Sequence, residues 1–153
     1  MIKFNYSRAA IDIAKAAKVE LSPLALCISQ HDDDGALEGG ALFEGFNGAT
    51  VYTHVAGFTP GWCKPAWLFT VSDFCFNHLK VNQVLGVVGV NNQPAVDFDL
   101  KFGYEIVVTL PGYFPGEDAY LMRLTRDRCR FLTEAYQKRY ERDRLRNLLA
   151  HAA

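Results

Sequence analysis

In the segment Gly57-Phe-Thr-Pro-Gly-Trp-Cys-Lys-Pro65 a lysine and a cysteine stand side by side in a loop punctuated by glycine and proline. Two chemistries suit that pairing. An ammonium beside a thiol can lower the thiol's pKa and make Cys63 a nucleophile. A buried, inert thiol is the alternative, and it is the usual state of cysteine. The second chemistry is anion binding. Pro65 suits the first turn of a helix, where its missing N–H would have had no intrahelical partner, and that helix is expected to run to about Leu79. A loop at a helix N-terminus presents unpaired backbone N–H groups and the positive end of the helix dipole. Lys64 adds a mobile cation suited to phosphate.

The other reactive side chains are spaced less informatively. Cys27, Cys63, Cys75 and Cys129 lie far apart, with no Cys-x-x-Cys pair and no paired histidines, so zinc spacing is absent and no metal is expected. Asp32-Asp33-Asp34-Gly35 reads as a turn, because a calcium loop needs alternating oxygen ligands and a glutamate at a fixed distance. His31 beside the aspartates, His78 at a helix end and His151 in the tail read as turn, cap and tail residues. Trp62, Trp67, Phe69, Phe74 and Phe76 could stack on bases, but their helical spacing favours core and lid roles.

These residues need elements to hold them. Thr50-Val-Tyr-Thr-His-Val55 alternates as a half-buried strand does. Asn82 to Val90 is a largely apolar run of the kind found in a central strand covered on both faces. With the loop and helix between them they make a crossover. Upstream, Ser7 to Lys18 is an amphipathic helix, and Pro23 to Gln30, Ala36 to Glu44 and Thr50 to Ala56 form an antiparallel meander with turns at Gly35 and Asn47-Gly48. Downstream, Gln93 to Phe102 is a helix closed by Gly103. Tyr104 to Leu110 and Ala119 to Leu124 are strands joined by a Pro111 to Glu117 loop, and a long helix runs from Arg126 to about Ala150.

The 153 residues suit one domain, burying roughly two-thirds of the surface of the unfolded chain. Residues 137–153 form a basic helical extension. No apolar run approaches the roughly 20 residues that span a bilayer. The first residues lack the apolar core and cleavage site of a secretory leader, so a cytoplasmic protein is expected. Charge is uneven: residues 126–151 carry eight Lys/Arg against four Asp/Glu, and the remainder is net −5. An acidic body makes nucleic acid a poor partner.

Asn92-Gln-Pro-Ala95 followed by Gly103-Tyr104 resembles the Asn-x-x-Ala/Ser … Gly-Phe/Tyr signature of the general-control-type N-acetyltransferase (GNAT) superfamily. The element order resembles it too. Phe76-Asn-His-Leu79 and Arg126-Asp-Arg-Cys-Arg130 are similar to segments of its ribosomal-protein and small phage-associated branch, and the likeness covers about residues 20–131. It implies an acyl-CoA N-acyltransferase fold: α/β (α+β), with a mixed, mainly antiparallel central sheet and helices on both faces. It implies acetyl-CoA as donor. The backbone of Val55 and Ala56 would bond the pantetheine arm, and the loop donors by position would be Gly61, Trp62, Cys63, Lys64 and Ala66, Pro65 having no N–H. Asn92 would bond the pantetheine amide and belongs with the catalytic residues, while Ala95 and Phe98 would line the thiol end.

Two positions depart from the family. The loop has one early glycine in place of the usual Gln/Arg-x-x-Gly-x-Gly/Ala, and Asp99 stands where many members carry a tyrosine that protonates the departing thiolate. A carboxylate is a poor thiolate donor at neutral pH unless burial raises its pKa. His54 is the candidate base or proton relay, since it lies on the strand expected to splay beside the thioester and an imidazole exchanges protons near neutral pH. A hydrogen-bonded strand histidine is the alternative. The implied activity is direct acetyl transfer to an amine of a protein, peptide or small molecule, without a covalent enzyme intermediate. The alternative is a catalytically inactive domain that keeps the fold as an interaction module in a larger assembly. The part of the C-terminal helix beyond Tyr136 is expected to exceed what the domain needs and to dock a second copy or another protein.

Overall fold

A computed structural model describes residues 1–151, with the side chains of residues 143, 144 and 147–151 left out. The chain runs β1 (Ile2–Phe4), α1 (Ser7–Ala17), β2 (Leu26–His31), β3 (Leu37–Glu44), β4 (Thr50–Gly57), α2 (Pro65–Asp73), β5 (Gln83–Gly89), α3 (Gln93–Phe102), β6 (Glu105–Phe114), β7 (Glu117–Thr125) and α4 (Glu134–His151). The strands form one sheet in the order β1-β2-β3-β4-β5-β7-β6. Only β4 and β5 pair in parallel, as the crossover through α2 demands. The mixed, mainly antiparallel sheet is the expected one.

Helices cover both faces. Ala9, Ala10, Ile13 and Ala14 of α1 pack on Cys27 and Leu42, and the small alanines let the helix lie close to the sheet. On the opposite face Trp67, Val71, Cys75 and Phe76 bury against Ile28, Phe43, Val51, Val84 and Met122. Adjacent side chains on a strand point to opposite faces. Leu42 and Phe43 therefore each serve a different helix layer.

The structure corrects the sequence reading in four places. Strand β1 is too short to announce itself. It is held by pairing Ile2 with Gln30, by the Met1 amino group donating to His31 O at 2.6 Å and by His31 N–H donating to Met1 O at 2.7 Å. The Pro111–Glu117 loop is mostly strand, with β6 continuing to Phe114 and β7 starting at Glu117. Strand β6 lies at the sheet edge, where a proline without an N–H costs little. Helix α2 ends its regular form at Asp73 and widens into a π turn over Phe74–His78, with Leu79 N–H reaching back to Phe74 O at 2.8 Å. The helix expected from Arg126 begins at Glu134. Before it, Cys129 is drawn into the core with extended backbone between two short 3-10 turns. The Thr133 hydroxyl then accepts from Tyr136 N–H at 3.4 Å and starts α4.

The family-like segments turn out to hold one another. Arg126 Nη1 donates to Phe76 O at 3.0 Å and to Asn77 Oδ1 at 2.7 Å, and Arg128 Nε donates to Gly103 O at 3.0 Å. Gly103 has φ 123°, and a Cβ there would strike the Arg128 carbonyl. Glycine is required at that position for backbone reasons alone.

Candidate functional site

The parallel pairing of β4 and β5 is brief. It joins Thr50 to Gln83, Val51 to Val84 and Tyr52 to Leu85, and then stops. Beyond that point β4 stays paired to β3 as far as Gly57, and β5 stays paired to β7 as far as Gly89. The two strands therefore part inside the sheet, leaving a wedge flanked by Thr53–Gly57 and Gly86–Gly89. Backbone groups on the inner edges have no strand to bond, a debt that an extended ligand with its own amides can settle. At the apex Thr53 Oγ1 lies 3.5 Å from Leu85 O and 3.3 Å from the Tyr104 hydroxyl. Behind it is a cavity of about 10 Å³ lined in part by Thr53, Val84 and Tyr104, room for roughly one water.

Val55 and Ala56 lie on the edge of β4 that β5 leaves unpaired. His54 shares the sheet face of its cross-strand partner Leu42, towards α1, and its Nε2 is 3.3 Å from Glu44 Oε2. Glu44 is in turn fixed by the Ser22 N–H at 3.3 Å. Asn92 caps α3, its Oδ1 accepting from Ala95 N–H at 3.4 Å, which leaves its side-chain amide free to donate. Ala95 and Phe98 are half-buried on the same helix. The turn before Asn92 is held from below: the Glu117 carboxylate accepts from Asn91 N–H at 2.8 Å and occupies the space that a Cβ on Gly89 would need.

Asp99 faces inward from α3, and burial pushes its carboxyl from the ordinary 3.8 up to about 7. It is near enough to Tyr104 for its charge to oppose ionisation of that phenol, whose pKa is raised well above 10.0 first by burial and then by Asp99. A carboxyl so raised keeps its proton closer to neutral pH than a solvated one does.

The loop between β4 and α2 departs from expectation at Lys64 and Trp62, while Cys63 keeps to the usual state of cysteine. Lys64 is paired: its Nζ is 2.6 Å from Glu38 Oε2, and its N–H is taken by Trp62 O at 2.9 Å. Bonding to Lys64 holds the Glu38 carboxyl below its ordinary range. Cys63 is no nucleophile, because burial pushes its thiol up to about 12 and the neighbouring cation is turned to Glu38. The Trp62 indole fills a slot over Gly39 and Gly57, which are cross-strand partners, and meets Trp67 edge-on at 4.7 Å. A Cβ on either glycine would overlap the indole. Among the described residues the N–H groups of Gly61, Trp62, Cys63 and Ala66 have no partner, so these four remain available to an anion.

Glu44, Thr53 and Glu117 were missed by sequence reasoning, since each acts through a partner distant in the chain, and Tyr104 entered only as part of a signature, without its contact to Thr53. His31 is buried, its Nε2 2.9 Å from Ser29 Oγ and its Nδ1 3.0 Å from Gly35 O, and His78 pairs with Asp73 at 3.1 Å. The side chains of His151, Leu148 and Leu149 lie outside the described residues. A groove of about 670 Å³ lies between Val81-Asn82 and Thr125–Asp127, at the opposite end of β5 from the wedge. Among the described residues no three His, Cys, Asp or Glu side chains converge as a metal site, and no helix is long and apolar enough to cross a membrane.

An open sheet with antiparallel flanks, one parallel pair that splays, and a crossover helix beginning at the splay is the fold of the GNAT-type N-acetyltransferases. Solved structures of that class match the chain. A spermidine N-acetyltransferase from Vibrio cholerae in complex with CoA and spermine aligns with TM-score 0.70 and 12% identity, over 87% of this chain and 98% of that one. The V. cholerae spermidine/spermine N-acetyltransferase SpeG with manganese ions aligns at 0.66 and 13%, over 83% and 92%. A dodecameric spermidine N-acetyltransferase from the same organism aligns at 0.61 and 15%, over 69% and 67%. At such identities the likeness establishes the fold alone. No protein-family model and no curated protein matches the sequence.

Proposed function

We propose that the protein is an N-acetyltransferase that moves an acetyl group from acetyl-CoA directly to an amine. The observation that carries this reading is the wedge: β4 and β5 part after Tyr52 and Leu85, with His54 on the β4 flank, and Asp99 of α3 acts on Tyr104, whose hydroxyl lies 3.3 Å from Thr53 Oγ1 at the apex. Acetyl-CoA supplies the acetyl group as a thioester. The free edge at Val55 and Ala56 bonds its pantetheine amides, and the side-chain amide of Asn92 donates to the same arm. Gly61, Trp62, Cys63 and Ala66 offer their N–H groups to the pyrophosphate, with Lys64 added where phosphate competes with Glu38. Ala95 and Phe98 line the thiol end.

The chain's own groups then manage two protons. The amine nitrogen forms a bond to the acetyl carbon and releases a proton to His54, which Glu44 holds in place. The carbon–sulfur bond breaks, and the thiolate takes the proton of the Asp99 carboxyl. Exchange with water returns His54 and Asp99 to their starting forms, so an amine and a thioester become an amide and a thiol. The acceptor belongs to a protein, a peptide or a small molecule. The acidic body favours a cationic amine, so we put polyamines, acceptors in the structurally similar spermidine acetyltransferases, first on the panel, with ribosomal-protein amines as the second arm.

The test is calorimetry or thermal shift with acetyl-CoA, followed by thiol release across that panel. Acetyl-CoA at 100 times its Kd should stabilise the fold by about 2.7 kcal/mol, or roughly 5–10 °C in Tm. No shift at millimolar acetyl-CoA would overturn the reading in favour of an interaction module.

A further inference from the structure

Helix α4 reaches back onto the loop that opens α2. The Tyr136 hydroxyl donates to Pro65 O at 3.2 Å. One turn further along, the ring of Tyr140 stacks on Phe69 with centroids 5.1 Å apart and an interplanar angle of 14°. The Tyr136 ring also meets Phe131 edge-on at 4.9 Å, so the start of α4 is anchored to the core as well as to α2. Burial raises the Tyr136 pKa, and Cys63 adds to the shift, which puts that hydroxyl beside the loop as well as the helix. On the loop's other flank stand the Trp62 slot and the Lys64 to Glu38 pair.

Among the described residues the loop ahead of α2 has a single backbone bond of its own, Lys64 N–H to Trp62 O, and the first turn of α2 has unbonded N–H groups as well. The loop's form depends on what grips its ends. Trp62 grips the middle from the sheet side, and Tyr136 grips Pro65 from the outside. The expectation that the chain beyond Tyr136 exceeds what the domain needs therefore fails at Tyr140, which is packed on α2. Glu141, Arg142, Leu145 and Arg146 beyond it are exposed.

We infer that the first two turns of α4 belong to the cofactor site, with Tyr136 and Tyr140 as positioning residues that hold the α2 N-terminal turn and the Gly61–Ala66 loop in the shape that receives the CoA phosphates. The inference rests on the proposed function for its ligand but not for its mechanics. Losing a neutral hydrogen bond of this kind costs about 1 kcal/mol, or roughly fivefold in an equilibrium constant.

The test uses the full chain in four forms: wild type, Tyr136→Phe, Tyr140→Ala and Tyr140→Phe. Hydrogen exchange in the free protein should quicken several-fold at the bonded amides of the loop and of the first turn of α2, Lys64 (to Trp62 O) and Leu68 (to Lys64 O), in Tyr136→Phe and Tyr140→Ala, with β2 and α1 unchanged. Tyr140→Phe keeps the stacked ring and should behave as wild type. In the same variants the Kd for acetyl-CoA should rise about fivefold, while kcat and the KM for the amine hold. Unchanged exchange overturns the inference. Faster exchange with unchanged Kd overturns the positioning role and leaves the proposed function standing. Wild-type protein that binds no acetyl-CoA overturns the proposed function, and exchange alone then decides whether α4 shapes the loop.

Discussion

Replacing Asp99 by asparagine keeps the outline of the side chain and removes both its charge and its transferable proton, so one variant tests the burial of that carboxyl and its use. Burial lifts the carboxyl from 3.8 to about 7. At about 1.36 kcal/mol per pKa unit, the roughly three units amount to about 4 kcal/mol. Asp99 is half-buried and not sealed, and solvent at its open edge screens part of this, so about 2 kcal/mol is the working value. The direction follows from which state holds the proton. Below about pH 4 the carboxyl is protonated whether the chain is folded or not, and its contribution is fully present. As pH rises the unfolded chain releases its proton first while the folded state keeps it to about 7, so stability falls across that window and levels off above it.

Asp99→Asn abolishes the window. Between about pH 4 and pH 8 the variant should gain on wild type by about 2 kcal/mol, seen as about 4–8 °C in Tm for a chain of this size. The assay is thermal unfolding of both proteins at those two pH values, alongside thiol release under saturating substrates. As the acid, Asp99 should give wild-type activity that falls as pH rises through about 7, and the variant should lose about 100-fold in kcat. A Tm difference that is the same at both pH values refutes the burial argument. Full kcat in the variant refutes the acid role even where the burial argument survives.

His54→Ala should lower kcat by about 100-fold at saturating amine and acetyl-CoA, and unchanged turnover would remove the imidazole from the chemistry. Gly57→Ala forces the Trp62 indole out of its slot; overpacking of this kind costs about 1–3 kcal/mol, read by urea unfolding, and acetyl-CoA binding should weaken with it. With its thiol at about 12, Cys63 should be alkylated by iodoacetamide far more slowly in the native protein than in urea, and rapid native labelling would restore it as a nucleophile.

Local pattern carried most of the fold. The apolar run of β5, the proline at the head of α2 and the Asn92 to Gly103 helix are each signalled within a few residues, and each stands where its sequence placed it. The failures are failures of context. Pro111 argued for a loop, but on an edge strand its missing N–H faces no partner. Arg126 to Leu132 has helical composition, yet Cys129 is worth more to the core than to a helix, and Arg126 and Arg128 just before it are drawn to the carbonyls of Phe76 and Gly103. Neither effect is visible in a window of sequence.

The site was legible at its backbone and much less so in its charges. The splay follows from a parallel pair set between antiparallel partners, and His54, Asn92 and the loop were placed by position. Lys64 was read as a free cation, because Glu38, 26 residues earlier, is brought to it only by the β3 to β4 pairing. For Asp99 the sequence leaves open whether burial raises the carboxyl, because its pKa depends on how far α3 sinks towards Tyr104. On the proposed function the two features point in opposite directions: the phosphate end loses a charge to an internal partner, and the thiol end keeps a proton that a solvated carboxylate would have lost. Binding at one end must then rest more on the bare N–H groups of Gly61, Trp62, Cys63 and Ala66, whose arrangement Trp62 and Tyr136 control. Chemistry at the other end must rest on a neutral acid. Both demands are met by burial, and burial is the property that a single sequence records least directly.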